Sequence, residues 1–158
     1  MSMDVTTKSI KSKDIPRLHS MFRSALHEDF AYFPGEYIEK VSRDNNYKTF
    51  VRARMNSKRV MMGLFEANRL IGYAIADITI PTDSDIFWFY IIPEKRGNGL
   101  GKMFFNELLS ELKRLGTTHV YLLTHNQKGF YEAFDFDLLN ENKDLFKGIT
   151  MYEMAKDL

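Results

Sequence analysis

The stretch 91–109 constrains the fold of this chain most, because it joins a strand pattern to a helix pattern through a glycine-rich turn. An apolar, aromatic run ends at Pro93, which cannot donate a backbone hydrogen bond and so ends a strand. Three glycines then follow within five residues, at Gly97, Gly99 and Gly101. The sequence therefore predicts a strand, a permissive turn and a helix in that order.

The segment after the glycines has the apolar spacing of one helical face. Its apolar residues are Leu100, Met103, Phe104, Leu108, Leu112 and Leu115. Gly116 follows Lys113 and Arg114, which is typical of a helix end. The start of such a helix has backbone amides without acceptors and the positive end of the helix dipole, so it favours an anion. Glycine lets a phosphate approach the backbone closely.

The spacing excludes two common phosphate loops. The dinucleotide pattern G-x-G-x-x-G needs glycine where Lys102 stands, and the P-loop needs glycine where Arg96 stands. The remaining pattern is Arg96-x-x-Gly99-x-Gly101 after an apolar-x-Pro strand end. It resembles the pyrophosphate loop of the GNAT superfamily of acyl-CoA N-acyltransferases. The alternative is a glycine-rich turn that only shortens the link between strand and helix.

Length and composition limit the class of protein. The chain has 158 residues, which fits one domain over residues 1–158. A net charge of +1 gives no global attraction to nucleic acid or to an anionic membrane. Cysteine is absent, which excludes disulfides and thiol nucleophiles. This composition is compatible with the reducing cytoplasm, which is the location that we expect. No apolar run approaches the roughly 20 residues that span a bilayer.

The remaining chain alternates strand and helix patterns. Strands are predicted at 5–10, 59–67, 70–80, 85–92, 118–124, 136–139 and 149–155, with loops at 81–85 and 140–147. Helices are predicted at about 14–27, 36–41, 47–55, 100–115 and 127–134. A helical crossover makes strands 85–92 and 118–124 parallel. The predicted fold class is α/β, with a mixed, mostly antiparallel sheet and helices on both faces.

This element order resembles the GNAT fold over nearly the whole chain. The resemblance implies that the two central parallel strands splay apart and that acyl-CoA lies in the gap. Its pantetheine arm would pair with backbone groups near Ile91, Ile92 and Pro93. The pyrophosphate would lie on the amides of Arg96, Gly97, Asn98, Gly99, Leu100 and Gly101, with Lys102 adding charge.

A second motif resembles the same family. Residues 129–136 match its Phe-Tyr-Glu-x-x-Gly-Phe helix end, which implies that Tyr131 protonates the departing thiolate. The alternative is a core tyrosine packed between neighbouring phenylalanines. Family members often have an asparagine seven residues before this tyrosine, where Thr124 stands; Asn126 either contacts CoA or caps the helix. Asp135 replaces the usual turn glycine and is one of the few other residues that tolerate a left-handed backbone.

The general base is less evident. Residues 86–92 contain no carboxylate, and the candidates elsewhere are Glu28, Asp29, Asp77 and His125, each of which could equally be a solvated surface group. The segment 28–37 combines two carboxylates with aromatic residues, which suits a cationic amine with an apolar stem but also an ordinary helix end.

The resemblance implies an N-acetyltransferase that uses acetyl-CoA as co-substrate and transfers the acetyl group to a primary amine by direct attack in a ternary complex. The alternative is a non-catalytic acyl-CoA-binding sensor of the same fold. The expected partner is a small-molecule or peptide amine, without metal, nucleic acid or membrane. The sequence leaves open the identity of the acceptor, the acyl chain and the oligomeric state, a homodimer included.

Overall fold

The computed structural model describes residues 4–80 and 82–158, in which seven strands form one sheet. The strands are β1 (Val5–Ser9), β2 (Arg59–Glu66), β3 (Arg69–Ile80), β4 (Asp83–Ile91), β5 (His119–Thr124), β6 (Asp137–Phe146) and β7 (Ile149–Asp157). Their order is β1-β2-β3-β4-β5-β7-β6, in which β4 and β5 run parallel and the other described pairs run antiparallel. The predicted mixed, mostly antiparallel sheet is confirmed.

In the described part of the chain, five α-helices cover the two faces of this sheet. They are α1 (Ile15–Glu28), α2 (Gly35–Asp44), α3 (Tyr47–Arg54), α4 (Leu100–Arg114) and α5 (Lys128–Glu132). The first three bury their apolar faces in one core, and α4 and α5 bury theirs in a second core on the opposite face. Helices on both faces were predicted, and the periodic residues of α1 and α4 account for them. Among the described residues, no helix has both the length and the apolar composition needed to cross a bilayer.

The separation of β4 from β5 creates the main opening in the sheet. Their parallel pairing ends at Ile86 and Leu122. Along the other edge of β4, Ile75 of β3 pairs with Trp88 while the next residue of β3 pairs with Ile86, so Phe87 is an extra residue in β4. Such a β-bulge bends the strand and increases its twist. The rest of β4 therefore stays with β3 and leaves β5.

Some predicted boundaries were wrong. The predicted loop 140–147 is strand: β6 continues to Phe146, and only Lys147 and Gly148 turn into β7. This edge strand is mostly exposed, so it lacks the apolar alternation that identifies a half-buried strand. Helix α2 is longer than predicted. The predicted loop 81–85 includes Pro81, which lies outside the described residues, while residues from Asp83 onward belong to β4.

Gly72 tests how closely β3 and β4 pack beside this opening, and Gly35, the first residue of α2, is the control. A β-carbon at Gly72 of β3 would lie 2.8 Å from the backbone oxygen of Tyr90, whereas one at Gly35 would have no heavy atom within 4 Å. We expect Gly72→Ala to lower the free energy of unfolding by about 1–3 kcal/mol, because backbone must move. Gly35→Ala should be neutral or stabilise by up to about 1 kcal/mol through the unfolded chain. Guanidinium unfolding of both variants measures this, and equal midpoints would contradict the packing.

Candidate active site

A cavity of about 560 Å³ lies where β4 and β5 separate. Its walls come from β4, from β5 and the turn after it, from the segment between α1 and α2, and from the β6–β7 hairpin. Aromatic side chains dominate these walls: Phe30, Tyr32, Phe33, Tyr37, Tyr121 and Phe146. The cavity therefore offers apolar surfaces beside the open edges of two strands.

The backbone of β4 beyond the bulge has one free edge. The amide of Ile92 donates to the carbonyl of Ile71 at 3.0 Å, so its N–H points toward β3. Because successive residues of a strand alternate, the amides and carbonyls of Phe89 and Ile91 point toward the gap. Pairing with β5 has already ended there. Of the predicted pantetheine contacts, Ile91 faces the gap, Ile92 has its amide engaged in the sheet, and Pro93 begins a short 3-10 turn.

The glycine loop after this turn has the backbone that an anion site requires. Gly97 and Gly99 have φ angles of 84° and 77°, in the left-handed region that favours glycine. A β-carbon at either position would have no heavy atom within 4 Å, so the surface there is open. The first backbone bond of α4 runs from Met103 to Gly99, which leaves the amides of Leu100, Gly101 and Lys102 without intrahelical acceptors. The exposed Asn98 completes the loop.

Arg96, the first residue of the predicted loop motif, is already engaged inside the protein. Its amide donates to Pro93, and its Nε donates to the carbonyl of Ile91 at 2.8 Å. Its Nη1 donates to Asp29 at 2.9 Å, and the other oxygen of that carboxylate accepts from the Tyr90 hydroxyl at 3.0 Å. Burial, followed by the bond to Asp29, raises the pKa of Tyr90 to about 12. This cluster joins the glycine loop to the end of α1.

Tyr131 lies on α5, is buried and lines the cavity. Its ring packs against Phe105, Phe130 and Phe136 with centroid distances of 5.3, 5.2 and 5.9 Å. Burial raises the pKa of its phenol above the ordinary value. The hydroxyl therefore keeps its proton at neutral pH and is available as a donor. The two interpretations of this tyrosine from the sequence are compatible, because it is a core residue that also reaches the cavity.

The residues before α5 differ in exposure. Thr124 is buried at the end of β5, and its hydroxyl accepts from the amide of Gln127 at 3.1 Å. Asn126 is exposed, lines the cavity and makes no cap bond at the start of α5. Asp135 has a φ of 64°, as expected for the residue that replaces the family's turn glycine.

The candidate bases lie in four different places. Glu28 is exposed at the end of α1, Asp29 is bound by Arg96, and Asp77 forms an ion pair with Arg59. His125 lines the cavity. Its place in the same cavity wall as Tyr131 could not be read from sequence spacing, because it depends on how the turn after β5 folds.

Two cavity carboxylates were not identified from the sequence. Asp85 of β4 lies one residue before the apolar run, and Glu153 lies two residues after the buried Met151 of β7, on the same face of that strand. The side-chain alternation of β7 was the signal for Glu153. Burial raises the pKa of Asp85 above its ordinary value. Among the described residues that line this cavity, none is a lysine or an arginine.

Comparison with known proteins agrees with this architecture. The family model described as "Acetyltransferase (GNAT) domain" matches residues 30–158. A [ribosomal protein bS18]-alanine N-acetyltransferase from Haemophilus influenzae is 28% identical over 86 residues. The aligned region covers 52% of this chain and 58% of that protein, so it spans less than two thirds of the relative's length.

Solved structures share the fold. The PaiA N-acetyltransferase from Thermoplasma acidophilum, solved in complex with coenzyme A, has a TM-score of 0.81 and 20% identity over 99% of this chain and 100% of that chain. The ribosomal-protein-S18-alanine N-acetyltransferase from Escherichia coli has a TM-score of 0.75 and 17% identity over 97% of this chain and 93% of that chain. These likenesses confirm the predicted fold.

The link between Asp29 and Arg96 can be tested without a substrate. Asp29→Asn keeps the size of the side chain and removes its charge, so the backbone of residues 29–34 should open more often. We expect their amide hydrogens to exchange roughly threefold to tenfold faster, corresponding to about 1 kcal/mol for a partly exposed pair. Asp44→Asn, which breaks an exposed pair with Lys40, is the control and should leave this exchange unchanged. Equal exchange in the Asp29 variant and the wild type would show that the link does not hold the segment.

Proposed function

Because the chain belongs to the GNAT acetyltransferase family, we propose that it transfers an acetyl group from acetyl-CoA to a primary amine. The observation that carries this proposal is the position of Tyr131 in a cavity that opens along the free edge of β4. The gap between β4 and β5 lies next to the glycine loop that follows β4, and the Tyr131 hydroxyl comes from α5, which follows β5. The expected order of events is direct attack by the amine with both substrates bound.

The gap and the loop fit the two ends of acyl-CoA. The pantetheine arm carries amide groups, which pair with the backbone of Phe89 and with the amide of Ile91, whose carbonyl already accepts from Arg96. The phosphates fit the open surface over Gly97 and Gly99 and the free amides at the start of α4. Lys102 is exposed beside these amides and adds positive charge. The adjoining cavity has room for an acceptor.

The proposed chemistry uses the environment of Tyr131. Acetyl-CoA supplies the acetyl group as a thioester, whose carbon–sulfur bond breaks as the amine nitrogen attacks. The leaving thiolate needs a proton, and Tyr131 holds one because a phenol is protonated near pH 7 and burial among aromatic rings disfavours the phenolate further. Transfer of that proton in the transition state is general acid catalysis.

The cavity suits an amine that carries positive charge in solution. Asp85 and Glu153 contribute negative charge, and aromatic walls offer favourable contacts to a cation and to an apolar stem. The sequence offered Glu28 and Asp29 either for this role or as part of an ordinary helix end, and Asp29 is bound by Arg96. The relative from Haemophilus influenzae is named for an alanine of a ribosomal protein, so a peptide N-terminus belongs among the acceptors to be tested.

A non-catalytic acyl-CoA sensor is the alternative function. Such a module needs the gap and the loop but no acceptor cavity. The cavity beside Tyr131 therefore favours catalysis. The deciding experiment measures thiol release from acetyl-CoA with 2-phenylethylamine, an alanine-initiated peptide and an N-terminally blocked lysine peptide. Amine-dependent release with an acetylated product supports the enzyme; tight acetyl-CoA binding without release on any of the three supports the sensor.

The loop assignment predicts a specific loss of acetyl-CoA affinity. Gly99→Val places a side chain in the open space at the start of α4, so we expect affinity to fall at least about tenfold, or about 1.4 kcal/mol. Gly148→Val is the matched control, because Gly148 has a φ of 78° and equally open surroundings but lies in the β6–β7 turn. Calorimetric titration with acetyl-CoA measures both. Unchanged affinity in folded Gly99→Val, or an equal loss in the control, would refute the assignment.

Tyr131→Phe tests the proposed acid. The variant keeps the ring and its packing and removes only the hydroxyl, so we expect kcat to fall roughly tenfold to a few hundredfold. Acetyl-CoA affinity should stay within about threefold, since the lost interaction belongs to the transition state.

Tyr152→Phe is the control, because Tyr152 is a half-buried tyrosine of β7 that does not line the cavity, and it should keep kcat. Steady-state kinetics with the best acceptor of the panel, with chemistry rate-limiting, decides the point. An unchanged kcat in Tyr131→Phe would remove Tyr131 from the mechanism. A loss confined to thermal stability would leave it a structural role only.

A further inference from the structure

His125 lies directly after the last residue of β5, where its imidazole contacts two other parts of the chain. It follows Thr124 directly and lines the same cavity as Tyr131. Its Nδ1 lies 2.8 Å from the carbonyl oxygen of Thr150 on β7. Its ring lies against that of Tyr32, with a centroid distance of 4.6 Å and an interplanar angle of 40°. The imidazole is therefore held from two sides, by the sheet and by the segment between α1 and α2.

The partner of Nδ1 determines the tautomer of this imidazole. A carbonyl oxygen can only accept a hydrogen bond, so Nδ1 must carry the hydrogen. In the neutral ring the lone pair then lies on Nε2, on the far side of the imidazole. Among the contacts of the described residues, Nε2 has no hydrogen-bond partner. The backbone of β7 thus determines which nitrogen is basic in a side chain that lines the cavity.

We propose that His125 is the general base of the acetyl transfer, a role that rests on the proposed function. Nε2 takes a proton from the amine nitrogen while that nitrogen forms a bond to the acetyl carbon. The carbon–sulfur bond breaks, and the sulfur takes the proton of Tyr131. The imidazolium then returns its proton through solvent to the tyrosinate, so both side chains regain their starting states.

An imidazole suits this step better than the two cavity carboxylates. A base works best when its affinity for protons matches the working pH, which an imidazole does near neutrality and a carboxylate does not. Asp85 also lies where β4 and β5 are still paired, and its carboxylate faces the Thr79 hydroxyl at 3.4 Å. In this assignment, Asp85 and Glu153 attract the cationic amine, which loses one proton to solvent before it attacks. Nε2 of His125 then takes the second proton from the neutral amine as its nitrogen bonds to the acetyl carbon.

Several other titratable groups face the cavity and shape its pH dependence. They are Tyr32 and Tyr37 near α2, Asp85 of β4, Tyr121 of β5, Tyr131 of α5 and Glu153 of β7. Burial raises the pKa of Tyr32 to about 12 and raises that of Tyr37, so both phenols stay neutral near pH 7.

The variant His125→Asn tests the proposed base most directly. The Asn amide nitrogen can still donate to Thr150, but no basic nitrogen replaces Nε2. With the best acceptor of the amine panel, we expect kcat to fall roughly tenfold to several hundredfold while acetyl-CoA affinity stays within about threefold. In the wild type, kcat should fall as the pH drops, because protonated Nε2 cannot accept a proton; the variant should lose that ionisation.

Three controls make the result specific. His27→Asn changes an exposed histidine of α1 outside the cavity and should leave kcat and its pH profile unchanged. Imidazole added to His125→Gly should restore part of the rate. Asp85→Asn and Glu153→Gln should raise the KM of the amine and keep the ionisation in kcat. If a carboxylate variant loses that ionisation and His125→Asn keeps it, the carboxylate is the base and the proposal fails.

A measurement without catalysis tests the tautomer. Nitrogen-15 spectra of the full chain, above the pH at which its imidazoles titrate, should show protonated Nδ1 and unprotonated Nε2 for His125. The opposite tautomer would overturn the proposal, even in an active enzyme. Absence of thiol release with every amine would instead refute the proposed function, and the spectrum would still decide whether β7 holds the imidazole as inferred.

Discussion

The loss of pairing between β4 and β5 is the constraint on which the rest of the site depends. Both strands are central, and a fully paired sheet would fill the space that the cavity occupies. The extra residue at Phe87 keeps β4 bonded to β3 while it diverges from β5 beyond Ile86. Unpaired backbone groups in the interior are costly unless a partner satisfies them. A ligand with its own amides is such a partner, which is the basis of our proposal that pantetheine binds along the open sheet.

Two cores keep the opening from closing. Helix α4 packs on one face through residues such as Phe105 and Leu108, which are fully buried, while α1 packs on the other through Leu18 and Phe22. Interiors of this kind are close-packed and resist rearrangement. The strand positions are therefore fixed by packing on both sides. The glycine loop follows β4 directly, so its location is fixed by the same divergence.

Much of this was predictable because it depends on local patterns. Helical periodicity identified α1 and α4, and the left-handed angles at Gly97 and Gly99 follow from glycine itself. A strand was predicted at 136–139, but its continuation over 140–146 was missed because these exposed polar residues pair through the backbone with β7, which carries the apolar signal. The engagement of Arg96 by Asp29 joins residues 67 apart, and the bond from His125 to Thr150 joins residues 25 apart. Tertiary contacts of this kind have no signature in a single sequence.

The proposed acid and base differ in how the fold controls them. Tyr131 is surrounded by apolar rings, so desolvation raises the pKa of a phenol that is already protonated near pH 7. His125 is controlled by direction instead, since a backbone carbonyl of β7 assigns the hydrogen to Nδ1 and leaves Nε2 free. The two groups come from different elements, α5 and the end of β5, and meet at one cavity. A substitution on β7 that moved the Thr150 carbonyl would thus disturb the base without touching the acid. The backbone course of β7 is therefore part of the proposed catalytic site, although Thr150 contributes no side-chain chemistry.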